Sequence, residues 1–113
     1  MHATMVSFTP STLLLAAGSI LFGHLAQAAQ LTAPNWVIPA NRSPYPAMAA
    51  TVGDTLTFEW AGGTHDVWIY PSGTCDDTNA ILVGNINNNP STYTFTADQA
   101  GSTVTFACDI GSH

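Results

Sequence analysis

Four stretches of alternating apolar and polar residues follow one another in the second half of the chain, and they limit the possible folds more than any other feature. The stretches are Thr55–Trp60, His65–Tyr70, Thr92–Thr96 and Thr103–Cys108. Alternation with a period of two is typical of strands that bury one face. Residues that favour turns separate the stretches, and a short apolar run, Ala80–Val83, lies between the second and the third. Strands spaced roughly ten residues apart predict an all-β sandwich or barrel.

The segment before these stretches is rich in proline. Four prolines lie between Gln30 and Ala50. Because proline lacks the N–H that a strand ladder needs, this region is predicted to supply at most short edge strands, with Asn35–Ile38 as the best candidate. Val52-Gly53-Asp54 predicts a turn that leads into the first alternating stretch.

The N-terminal segment has the pattern of a secretory leader. An apolar run from Leu13 to Leu25 precedes Ala26-Gln27-Ala28, a small-x-small cleavage signature. The run is short for a membrane span, which favours a signal peptide. One feature does not fit, because no Lys or Arg precedes the run as is usual in signal peptides. We predict a signal peptide over residues 1–28, one domain over 29–113 without a membrane span, and a secreted or cell-surface location. A retained N-terminal anchor is the alternative.

The charge balance excludes two classes of partner. Seven acidic side chains stand against one basic side chain, Arg42, which gives a formal net charge of −6. Nucleic acids and anionic membranes are bound through basic patches, and such a chain cannot form one. An acidic surface instead attracts a basic partner.

Two cysteines and two histidines lie beyond the leader, and their roles can be interpreted in two ways. In an oxidising compartment the simplest interpretation is one disulfide, Cys75–Cys108. In the other, His65 begins one strand while Cys108 ends another and is followed by His113, so the three side chains can meet at one pole of a sandwich. A thiolate with two imidazoles, completed by a weak axial Met, Gln or carbonyl, is the ligand set of copper sites that transfer electrons. The chain contains no His-x-His pair and no nucleophile-elbow pattern, so we predict that it is not an enzyme.

Two segments resemble the phytocyanins, the secreted branch of the blue copper (cupredoxin) proteins. The first is Val52–Phe58 followed by Thr64–Val67, and the second is Phe106–His113, which contains the Cys-x4-His pattern of that family. The resemblance covers about Val52–His113. It implies a Greek-key cupredoxin-like β-sandwich or barrel, and single-electron exchange with a redox protein or a small redox molecule.

The same resemblance implies a ligand set and a place for the second cysteine. His65, Cys108 and His113 would hold one copper ion, in a domain expected to be monomeric. Cys75 would pair with a cysteine directly beyond His113, where the axial ligand and the final strand would also follow, so we expect a domain that is incomplete at its C-terminus. Asp66 stands where the family often has Asn, at a position whose side chain commonly braces the ligand loop. Asp109 adds a second carboxylate beside Cys108.

The competing hypothesis is a non-redox extracellular module for adhesion or cell-wall contact. It would be a β-sandwich held by the Cys75–Cys108 disulfide, with Trp36, Trp68 and Tyr70 as surface contacts. For each of these aromatic side chains, packing in the core or against a sheet is the simpler interpretation.

Overall fold

The structure, a computed structural model, describes residues 4–12 and 28–110 of the 113-residue chain. The described residues form eight short strands and one 3₁₀ helix. The elements are β1 (Met5–Ser11), β2 (Gln30–Thr32), β3 (Met48–Thr51), β4 (Thr55–Phe58), β5 (Val67–Ile69), β6 (Ile81–Gly84), β7 (Ser91–Thr94), the 3₁₀ helix (Ala97–Gln99) and β8 (Val104–Ala107). The predicted all-β class is confirmed.

The strands form two mixed sheets. One sheet has five strands in the order β3-β1-β8-β5-β6, and the other has three in the order β2-β4-β7. The pairs β1–β3 and β2–β4 are parallel, whereas the β1–β8, β5–β8, β5–β6 and β4–β7 pairs are antiparallel. Two sheets with a shared apolar core agree with a sandwich, and the described strands do not close into a barrel.

The main core is built from the alternate residues of the strands. Phe106 of β8 lies at its centre, with its ring centroid 5.0 Å from that of Phe58, 5.4 Å from Tyr93 and 5.8 Å from Phe8. The alternating pattern of Thr103–Cys108 predicts that Val104, Phe106 and Cys108 share one face, and all three belong to this core. A smaller cluster, which contains Met5, Tyr70 and Ala107, covers the opposite face of the five-stranded sheet.

The predicted strands match the structure unevenly. Strands β4, β5 and β8 lie inside the predicted stretches, and β6 and β7 are shifted from theirs by one residue at the start. The prediction of an edge strand at Asn35–Ile38 is wrong. The Val37 N–H donates to the Asn35 carbonyl (2.8 Å), and this tight turn interrupts the extended chain at Trp36. The strand beside β4 is formed by Gln30–Thr32 instead.

The first strand lies inside the segment that we assign to the leader. β1 occupies an inner position of the five-stranded sheet, between β3 and β8. Its Val6 and Phe8 side chains are buried in the main core. The apolar run Leu13–Leu25 falls outside the described residues. Among the residues that the structure describes, no helix is long and apolar enough to cross a membrane. The signal peptide stays a prediction.

Candidate metal centre

His65 is presented to the core by a glycine turn. Gly63 has φ +78°, a backbone conformation that favours glycine, and an added Cβ there would lie 3.1 Å from His65 Nε2. The imidazole is therefore in close contact with the turn on one side. On another side its ring meets that of Trp60 edge-on, with 5.9 Å between centroids. Only 5% of His65 is exposed, so its orientation is set by packing.

Cys108 directly follows β8, in the middle of the five-stranded sheet. The residue is completely buried and belongs to the main core. Its backbone N–H donates to the Thr4 carbonyl (3.1 Å), and the next N–H, that of Asp109, donates to the Asp66 carboxylate (2.8 Å). Hydrogen bonds from two consecutive N–H groups thus fix the backbone at Cys108 and, with it, the position of the thiol.

Two of the three predicted ligands, His65 and Cys108, are in contact. Cys108 Sγ lies 3.8 Å from His65 Nδ1 in a buried contact. Metal–sulfur and metal–nitrogen bonds of about 2.3 Å and 2.0 Å add to about 4.3 Å, so one ion can reach both donors where they stand. A buried thiol facing an imidazole nitrogen is the donor chemistry that copper and zinc accept.

His113, the third predicted ligand, lies outside the described residues. Within residues 4–12 and 28–110, no group of three or more His, Cys, Asp and Glu side chains is arranged to hold a metal ion. The described part of the chain therefore contains two donors of the predicted set, and metal binding by all three residues stays a prediction.

The carboxylate of Asp66 joins the two ligand segments. One oxygen accepts from the Asp109 N–H (2.8 Å), and the other accepts from Trp68 Nε1 (2.8 Å). The Asp66 carbonyl accepts from Trp36 Nε1, also at 2.8 Å. Because Asp66 follows His65 and Asp109 follows Cys108, these bonds fix one ligand segment against the other. The expectation that a side chain at position 66 braces the ligand loop agrees with this geometry.

The second carboxylate, that of Asp109, has a hydrogen-bond partner of its own. Asp109 Oδ1 accepts from the Tyr70 hydroxyl (2.7 Å). Tyr70 is buried, and burial together with this hydrogen bond raises the pKa of its phenol, which keeps the hydroxyl protonated as a donor. The two carboxylates thus have separate partners. The sequence pattern predicts Tyr70 only as a surface contact or a packing residue, since nothing local indicates its hydrogen bond to Asp109.

Burial keeps both donor groups neutral near pH 7. Loss of hydration raises the pKa of the Cys108 thiol to about 11, and hydrogen bonds from the Asp66 and Ile110 backbone offset part of the effect. Burial also lowers the pKa of His65 below its ordinary value, against the opposing effects of a hydrogen bond to Gly62 and the charge of Asp66. A metal that binds here must displace the thiol proton and finds the imidazole already unprotonated.

The raised pKa of Cys108 predicts a pH-dependent loss of stability in metal-free protein. Between the ordinary pKa of 9.0 and the folded value of about 11, the unfolded chain releases the thiol proton and the folded chain keeps it. The unfolded state then binds fewer protons, so stability falls as pH rises. We expect a loss of about 1 kcal/mol from pH 8 to pH 10 in urea titrations with a chelator present. Cys108→Ser should remove most of this pH dependence, leaving the smaller part that the raised pKa of the Tyr70 phenol contributes near pH 10, and Cys75→Ser should retain all of it. An equal slope in wild-type protein and Cys108→Ser would contradict the shift.

The two cysteines occupy different parts of the molecule and are not joined to each other. Cys75 packs against the smaller cluster, with its Sγ 4.0 Å from Met5 Sδ, whereas Cys108 faces His65 in the main core. The structure therefore lacks the Cys75–Cys108 disulfide that the non-redox hypothesis uses. Trp36 and Tyr70, two of its three contact aromatics, are buried, as the packing interpretation expects.

Comparison with known proteins adds no family assignment. No protein-family model matches the chain, and no curated protein matches it. The likeness to phytocyanins thus rests on the residue patterns alone.

Proposed function

We propose that this chain transfers single electrons through one copper ion bound by His65, Cys108 and His113. The observation that carries the proposal is the buried contact of 3.8 Å between Cys108 Sγ and His65 Nδ1. A thiolate and imidazoles together favour copper over the hard cations, which prefer oxygen ligands. Bound copper would supply a one-electron couple. In this proposal the fold is a cupredoxin-like Greek-key sandwich.

In such a transfer the protein would hold the donor atoms rigidly and exclude water from them. Cys108 is completely buried and His65 is 5% exposed, so neither donor needs to shed much water when the charge changes. The Asp66 carboxylate and the ladder pairing of β5 with β8 resist movement of one ligand segment against the other. A site that keeps its geometry in both oxidation states has little to reorganise, which favours fast electron exchange.

The surface charge suggests the kind of redox partner. With a net charge of −6, the protein attracts a basic protein or a cationic small molecule more strongly than a neutral one. A secreted or cell-surface location follows from the predicted leader and is part of the proposal. We propose no catalytic role, because the residues point to a closed ligand set and not to a substrate site.

Voltammetry on the full chain loaded with copper tests the transfer step. We expect a reversible wave that carries one electron per chain. Cys108→Ser and His113→Ala should each lose the reversible wave or move its potential strongly, because each removes a proposed ligand. Cys75→Ser serves as the matched control and should behave like wild-type protein. A wave that is unchanged in Cys108→Ser would show that copper is bound elsewhere.

A further inference from the structure

We infer that the space between β3 and β8 is an acceptor groove for an extended peptide strand, and that Met5–Ser11 is its resident occupant. The occupant pairs with β8 through Met5–Phe8, in antiparallel register, and with β3 through Phe8–Ser11, in parallel register. β3 and β8 are not neighbours in the sheet, so only the occupant connects them. Removing it would leave two strand edges without partners, and unpaired edges bind other strands readily.

Backbone groups hold the two ends of the occupant. Beyond the ladder itself, four N–H groups of the surrounding chain donate to carbonyls of the occupant or of Thr4, the residue before it. The pairs are Cys108 to Thr4 (3.1 Å), Tyr45 to Met5 (2.8 Å), Gly101 to Pro10 (2.8 Å) and Val52 to Ser11 (2.9 Å). Because these bonds go to carbonyls and not to side chains, any extended segment in the same register can accept them.

Side-chain pockets set the specificity of the groove. Val6 and Phe8 are 1% and 0% exposed, and the Phe8 ring lies 5.5 Å from that of Phe95. Between and after them, Ser7 and Thr9 face the other side of the sheet, where Ser7 Oγ lies 2.8 Å from Thr105 Oγ1. The groove therefore fits a segment with large apolar residues at alternate positions and small hydroxyl residues between them.

The absence of charge in the groove strands limits further which peptide segments can bind. The occupant Met5–Ser11 and the two groove strands, Met48–Thr51 and Val104–Ala107, contain no charged residue. A charged side chain at an inward position of the occupant would be buried without a counter-charge, at a large cost. The partner is thus an uncharged, alternating apolar segment.

The resident strand fits imperfectly at one end. The Thr4 hydroxyl is buried without a hydrogen-bond partner among the described residues. An unsatisfied buried hydroxyl weakens the fit, and an apolar side chain of similar shape would avoid this cost. A foreign segment with Val at this position would therefore bind more tightly than the resident strand.

The segment that follows the predicted cleavage point is held by contacts that do not involve the occupant. The Ala29 N–H donates to the buried Asp54 carboxylate (2.8 Å), and the Ala29 carbonyl accepts from the Thr55 N–H (3.0 Å). If the predicted leader is removed after Ala28, these contacts persist and the groove opens. The processed domain would then take an extended segment of another polypeptide, in the register that Met5–Ser11 now holds.

Peptide exchange in the full chain tests this inference. A specific protease site inserted between residues 18 and 19 allows β1 to be cut from the rest of the folded protein, and fluorescent peptides of residues 4–12 are then added. We expect the wild-type peptide to replace the resident fragment with 1:1 stoichiometry. Thr9→Asp, on the exposed side, should bind within about threefold of wild type, whereas Phe8→Asp should bind about a hundredfold more weakly. Thr4→Val should bind roughly tenfold more tightly.

Three results would overturn the inference. Binding of the Phe8→Asp peptide as tightly as the Thr9→Asp peptide would show that the groove does not distinguish side chains at alternate positions. Loss of the resident fragment on mild warming, with no peptide taking its place, would show that the groove does not accept a strand. Release of the fragment with formation of a dimer, measured by sedimentation, would assign the exposed edges to a second copy of this chain.

Discussion

Replacing Phe106 by Ala is expected to lower the free energy of unfolding by about 3–5 kcal/mol. The ring is completely buried, and four aromatic rings surround it, those of Phe8, Phe58, Tyr93 and Phe95. Phe58 and Tyr93 belong to the three-stranded sheet and Phe95 directly follows its strand β7, so the cavity would open where the sheets meet. Since small domains are stable by only about 5–15 kcal/mol, the loss is a large share of the total. Urea unfolding followed by tryptophan fluorescence measures it.

The matched control for Phe106 is an exposed apolar residue in the same sheet. Ile81 of β6 is 55% exposed, and Ile81→Ala should cost less than about 1 kcal/mol. A Phe106→Ala variant that loses no more stability than Ile81→Ala would contradict the placement of Phe106 between the sheets.

Replacing Asp66 by Ala is expected to cost about 2–4 kcal/mol of stability and to weaken copper binding about 10–100-fold. The change leaves the Asp109 N–H and Trp68 Nε1 without their acceptor. It also removes the side chain that fixes the His65 segment against the Cys108 segment, so both donors would have to be ordered when the metal binds. Unfolding curves of metal-free protein and competition titrations with a Cu(I) chelator measure the two effects separately.

Asp77→Ala is the control for the loss of negative charge. Asp77 is exposed, and its removal changes the net charge by the same amount without opening a buried bond. We expect copper affinity within about twofold of wild type, as is usual for surface substitutions. If Asp77→Ala weakens copper binding as much as Asp66→Ala, the effect of Asp66 is general electrostatics and not positioning.

The alternating stretches predicted the core strands because their packing is local to each stretch. Leu56, Phe58 and Trp60 alternate along the sequence and are all buried in the structure. The Pro-rich segment was harder to predict, since its conformation depends on distant partners. Trp36 is held by the Asp66 carbonyl, 30 residues away, and no local pattern indicates that bond.

The first strand was missed for a different reason. Met5–Ser11 carries Pro10, which argues against an inner strand, and it precedes the apolar run that indicates a leader. The Pro10 carbonyl accepts from Gly101, in the turn that precedes β8, so the proline lies past the end of the β1–β8 ladder, which stops at Phe8. A pairing of this kind joins residues about 100 positions apart in sequence, such as Met5 with Ala107, which periodicity does not reveal.

At the candidate metal centre, the sequence indicated two donors that the structure places together. His65 begins its segment after a glycine turn and Cys108 ends a strand, and their contact follows from the pairing of β5 with β8. The sequence did not predict the partners of the carboxylates. Asp66 and Asp109 could have repelled each other beside the thiol, but Tyr70 and the Asp109 N–H give each a partner of its own.

Visible absorption of the Cu(II)-loaded full chain tests the central claim most directly. A thiolate bound to copper in a site of this type gives intense charge-transfer absorption, and we expect it at one copper per chain. Cys108→Ser should abolish the colour, while Cys75→Ser should leave it in place. A colourless protein in which peptide mapping finds Cys75 and Cys108 joined by a disulfide would contradict the copper site.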